Sequence, residues 1–190
     1  MRLPKFTVKP GAVALMALMT ATRFHHFGTP FALPDASLAI FFLASLCLGG
    51  RYLFATLLLE AGLIDYLAIT KLGVSDFCVS NAYVFLIPTY AVMWLGGKYC
   101  RQFESLTLNT LAKRLAALVI ATSSAFLMSN GSFYWLSGRY PEANWAQYIE
   151  RAAKYYPPYM TTTLLYVVVI FAAISTFKVL SAHKAARQTV

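Results

Sequence analysis

At 190 residues, 59% of them hydrophobic and only 12% charged, the chain lies outside the range of soluble domains, which carry about 25% charged residues. Its formal net charge of +9 comes from basic residues scattered between apolar runs rather than clustered along one polar element, so membrane topology explains it and nucleic acid is excluded as an expected partner. No P-loop, GxSxG or Rossmann glycine pattern occurs, and neither does a close-spaced zinc pattern such as HExxH or CxxC.

Six apolar runs predict an all-α integral membrane protein, a single membrane domain over 1–190 with spans near 11–27, 36–50, 52–72, 82–97, 109–130 and 158–180. The first run has no small-residue cleavage site after it and reads as a span, not a signal peptide. It contains Ala17-x-x-x-Ala21, a spacing that permits close helix contact, and ends in Arg23, His25 and His26. Adjacent helical residues point about 100° apart, so only one of the two histidines can face the bundle. The second run is short for a span and needs its flanks or the shielding of neighbours. The third carries Glu60 and Asp65. Ionisable groups in spans face the bundle interior or a wet cavity. Glu60 is expected to make a structural pair with a polar group toward the cytoplasmic side. Asp65, near the outer loop, is expected to pair with backbone N–H groups, with Arg23 or with Arg151.

Residues 73–81 form the third loop, with Cys78 at their centre, and a kink is expected at Pro88 in the fourth span. A polar, basic connection follows over 96–114, partly helical. The longest connection is expected at 129–158, enclosing a separate short helix over 142–156 that presents Trp145, Tyr148 and Ala152 on one face. The sixth span and a basic tail complete the chain.

Eleven of the sixteen Lys and Arg residues (Arg2, Lys5, Lys9, Arg51, Lys98, Arg101, Lys113, Arg114, Lys178, Lys184, Arg187) fall on one side of this arrangement, and five (Arg23, Lys71, Arg139, Arg151, Lys154) fall on the other. The positive-inside rule therefore predicts cytoplasmic termini and first, third and fifth loops outside. Those outer loops bring together Arg23, His25, His26 and Asp35; Asp65, Asp76, Cys78, Asn81 and Tyr83; and an aromatic, arginine-bearing set around Arg139, Trp145 and Arg151. An interfacial aromatic belt accounts for many of these rings. Cys47 and Cys100 fall toward the cytoplasmic side, which leaves Cys78 without a disulfide partner outside. Its thiolate is a soft ligand for transition metals, and the plain alternative is a small buried loop residue.

The segments Arg23-Phe-His-His-Phe-Gly-Thr-Pro-Phe-Ala-Leu-Pro-Asp-Ala-Ser37, Asp65-Tyr66 and Ser75-Asp-Phe-Cys-Val-Ser-Asn-Ala-Tyr83, together with Arg151, carry a resemblance. Over the whole chain the pattern resembles the substrate-binding S-components of energy-coupling-factor (ECF) transporters, and within them the BtuM family of vitamin B12 transporters. The resemblance implies a bacterial inner-membrane protein that captures cobalamin at its outer face. It implies that Cys78 binds the cobalt, with His26, Asp65, Tyr83 and Arg151 as pocket or loop-holding residues. Ala17 and Ala21 would match the first-span alanine motif that docks an ECF ATPase module, although members of this family look like solitary S-components that work without one. Cobalamin would be cargo, with no prosthetic group. A thiolate at cobalt would displace the lower axial base and labilise a cyanide opposite, so Cys78 would also promote decyanation of cyanocobalamin. The competing expectations are a transporter of free cobalt or nickel ions using Cys78, His26 and Asp65, a membrane enzyme acting on corrinoids, and a structural subunit without a ligand.

Overall fold

The computed structural model describes residues 9–23, 33–103, 105 and 107–188. Among them there is no strand. The elements are α1 (Pro10–Arg23), α2 (Ser37–Cys47), α3 (Arg51–Leu72), a 3-10 turn (Asn81–Phe85), α4 (Leu86–Cys100), α5 (Leu108–Leu136) and α6 (Trp145–Gln188).

Three helices are long and apolar enough to cross a membrane: Arg51–Leu72, Leu108–Leu136 and, within α6, Trp145–Phe177. The Trp145–Phe177 stretch reaches a mean hydropathy of 2.0, yet only 11% of that window is buried by the rest of the fold. Leu59, Ile120, Leu165 and Val168 all point outward. Apolar surface on this scale needs lipid as its solvent, and the chain is a membrane protein.

The short second helix has a different solution. Its 11 residues rise about 16 Å, half a bilayer core. Ile40, Phe41, Phe42, Leu43 and Ala44 are all buried, because α1, α3, α4 and α6 surround it. A helix that is apolar on every side belongs at the centre of a bundle, and α2 is that centre. Two glycines let α4 press against it. A Cβ on Gly97 would stand 2.1 Å from the Phe42 carbonyl oxygen, and one on Gly96 would meet Ala121 of α5 at 2.8 Å. Phe41 and Tyr90 stack between α2 and α4 with ring centroids 4.3 Å apart.

The structure redraws the sequence-based boundaries in three places. Pro88 does not kink a span. It sits in the first turn of α4, after the 3-10 turn, where its missing N–H costs nothing because first-turn donors have no helical acceptor. The long connection expected at 129–158 shrinks to residues 137–144, since α5 continues to Leu136. The separate short helix and the sixth span are one helix, α6, that runs through Pro157 and Pro158. Packing holds it on both sides of the prolines: Tyr156 and Tyr159 both set their rings edge-on to Phe126 of α5. Tyr156 also shares a 2.8 Å hydrogen bond with Ser123. Asn144 caps α6 by accepting from the Gln147 N–H at 3.0 Å. The buried Tyr134 hydroxyl closes the loop, accepting from the Asn144 N–H at 2.9 Å and lying 2.6 Å from the Gln147 side-chain oxygen.

Candidate functional site

Arg23 ends α1 and is buried, so its charge requires partners on every side. It gets them from three directions. Its Nε and Nη2 donate to the two Asp65 carboxylate oxygens at 2.7 and 2.6 Å, a bidentate fork onto α3. Its Nη1 donates to Asp35 at 3.2 Å, to Ser37 at 2.9 Å and to Tyr90 at 2.7 Å. Asp35 in turn accepts from the Ser37 N–H at 2.9 Å and hydroxyl at 2.6 Å, capping the start of α2. Tyr83, in the 3-10 turn, donates to Asp65 at 2.5 Å. One guanidinium thus ties α1, α2, α3, α4 and the 3-10 turn together at one end of the bundle. Of the partners expected for Asp65, Arg23 is the one it takes.

The segment carrying Cys78 is suspended from this knot. Gly73, with φ of 68°, ends α3 in the left-handed conformation that glycine adopts without strain. Ser80 begins the 3-10 turn, its hydroxyl accepting from the Ala82 N–H at 3.3 Å. Between these two ends Cys78 is half-buried and outside any disulfide.

Cys78 lines a cavity of about 510 Å³. Asp65, Tyr83 and Arg151 line it too, as do the rings of Phe77, Tyr90, Phe126, Phe133, Tyr155 and Tyr159. α5 and α6 form the wall facing the Cys78 loop. There the Arg151 guanidinium lies over Tyr155, Tyr140 and Phe133, 4.7, 5.3 and 5.6 Å from their ring centroids, and Arg139 lies over Phe77 at 4.9 Å. Burial pushes the Cys78 thiol above its ordinary range. Arg151 opposes that rise most strongly, Asp65 adds to it, and Arg139 opposes it.

Of the five residues that the resemblance gave as pocket or loop-holding, Asp65, Cys78, Tyr83 and Arg151 share one cavity, which Arg23 and Asp35 also line, while His26, like His25, lies outside the described residues. Ala17 and Ala21 are exposed on α1, away from the cavity. Glu60 is bonded within the bundle, where the Thr20 hydroxyl of α1 donates to its Oε1 at 3.0 Å. Among the described residues, no three His, Cys, Asp or Glu side chains come together to hold a metal ion. Sequence reasoning overlooked Tyr90, Asn130 and the Phe126–Tyr159 contact. Asn130 carried a usable signal, a carboxamide within an apolar helix; the rings were indistinguishable from ordinary span residues. Set against protein-family models and against curated proteins, the chain matches none.

Proposed function

We propose that this protein is a six-span cobalamin transporter of the S-component type, which captures a corrinoid at the outer face of a bacterial inner membrane and ligates its cobalt through the Cys78 thiolate. The observation that carries this reading is the placement of an unbridged thiol on the wall of an aromatic-lined cavity. Rings suit the broad apolar faces of a corrin, and a thiolate suits its axial metal position. The cavity is smaller than a whole corrinoid, so binding requires the Cys78 loop and the α5–α6 connection to part.

The exchange at cobalt balances without redox change. The thiol gives up its proton, sulfur forms a bond to Co(III), the lower axial base leaves, and the weakened bond on the opposite face releases cyanide, which departs with the proton as hydrogen cyanide. Optical titration with cyanocobalamin tests this. The parent protein is expected to shift the corrinoid absorption bands, and Cys78→Ala to bind without that shift; an identical shift in both rules out sulfur ligation.

Uptake of a free transition-metal ion fits the site less well. Asp65 has both oxygens engaged by Arg23 and one also by Tyr83, so it is not open to a cation without breaking the knot that holds the bundle end. The basic residues favour both termini in the cytoplasm. The exposed Ala17 and Ala21 leave room for an ATPase module on α1, and a solitary transporter would leave that face to lipid.

A further inference from the structure

A second, smaller cavity of about 190 Å³ lies between α3 and the start of α4. Leu58, Ala61 and Gly62 line it from α3, and Val84, Leu86 and Ile87 line it from the 3-10 turn and α4. Gly62, Val84 and Ile87 are exposed, and so are Leu59 and Leu63 beside them, so the cavity is a cleft that opens through the side of the bundle. A Cβ on Gly62 would meet nothing within 4 Å. The mouth of the cleft stands where α3 has no side chain.

Depth decides what fills it. α3 is one of the helices long and apolar enough to cross a membrane. Its 22 residues rise about 33 Å, close to the thickness of a hydrocarbon core of about 30 Å. Ala61 and Gly62 are its two central residues, which puts the mouth near the midplane of the bilayer, where acyl chains end and headgroups do not reach. The lining agrees with that depth. Apart from Arg23, Tyr83 and Tyr90 it is aliphatic, and those three are bonded within the knot, Arg23 donating to Asp65 and Tyr90, and Tyr83 to Asp65. An apolar cavity of about 150 Å³ stays dry and takes up benzene, so this cleft has room for the last several carbons of a chain. We infer that the α3–α4 cleft is a lipid site, which seats the methyl end of a phospholipid acyl chain. Arg23, Tyr83, Leu86 and Tyr90 line both this cleft and the larger cavity, so a seated chain packs against the back of the larger cavity's wall. The inference rests on placement in a membrane and is independent of the corrinoid reading.

The test is photolabelling of the full-length protein in nanodiscs of phosphatidylethanolamine and phosphatidylglycerol, with a phosphatidylglycerol that carries a diazirine at the methyl end of one chain. Peptide mass spectrometry is expected to find the label on Leu58 and Leu86, which are half-buried in the cleft, as well as on the exposed Leu165 and Val168 of α6. Gly62→Leu, which plugs the mouth, is expected to lose the label at Leu58 and Leu86 and keep it at Leu165 and Val168, the sign that the variant is still inserted. Gly62→Ala, which leaves the mouth open, is expected to label as the parent does. Label on α6 with none in the cleft of the parent overturns the inference, as does cleft labelling that persists in Gly62→Leu. Equal labelling of the cleft by a lipid whose diazirine lies beside the ester also overturns it, because the cleft would then sit at headgroup depth.

Discussion

Cys78 is subject to opposing influences. Burial and Asp65 hold its proton on, while Arg151 and Arg139 favour the thiolate, and the balance lies on the side of the thiol. The proposed ligation of cobalt by this thiol would therefore release a proton. The sign follows: below the thiol's pKa, raising the pH favours the sulfur–cobalt bond, by about tenfold in apparent affinity per pH unit for one proton released. Titrations at a series of pH values should show that slope in the parent and lose it in Cys78→Ala. A flat profile in the parent would mean that sulfur is not the group exchanging its proton for metal. Arg23 poses the same kind of question with a structural answer. Asp65→Asn keeps the shape but removes half of a buried ion pair, leaving Asp35 as the guanidinium's carboxylate partner beside the Ser37 and Tyr90 hydroxyls. Such a loss costs about 3 kcal/mol, to be read as a lowered unfolding midpoint in detergent.

Among the elements, contact between α2 and α4 is the tightest constraint. Gly97 stands where any side chain would strike the backbone of Phe42, and backbone cannot swing aside as a side chain can. Gly97→Ala is expected to destabilise the protein by about 1–3 kcal/mol through overpacking. Gly62 is the control: it lies in α3 with open space around it, and Gly62→Ala should stabilise the helix by about 0.5–1 kcal/mol. Thermal unfolding of the two variants in the same detergent should move in opposite directions. If both move alike, helix propensity and not close packing governs these sites. The course of α6 belongs to this scale as well. Two consecutive prolines are a strong local signal for an end, and the sequence reading placed one there. Tyr156 and Tyr159 gripping Phe126 override that signal, and no pattern within residues 145–188 announces a partner on another helix.

For the whole molecule, the number of crossings decides the disposition of the ends. Six crossings return both termini to one side; the three long helices alone would leave them on opposite sides. Reporter fusions to each terminus are expected to place both in the cytoplasm, in line with the eleven basic residues assigned to that face, and termini found on opposite sides would rule out six spans. Much was legible without coordinates. An excess of apolar residues over charged ones requires lipid whatever the fold, and hydropathy located the helical runs because backbone groups in lipid must bond within their own segment. The Cys78 loop and Asp65 also stood out, since a lone thiol and an acid in an apolar run are chemically conspicuous. Only the tertiary structure decided that α2 is enclosed on all sides, that Asp65 chooses Arg23, that α6 continues through its prolines, and that Asn130 and Arg151 line one cavity. Each of these is a relation between residues far apart in the chain. Hydropathy is a sum over neighbours in sequence, whereas partner choice is set by which side chains the packed helices bring within about 3 Å of one another.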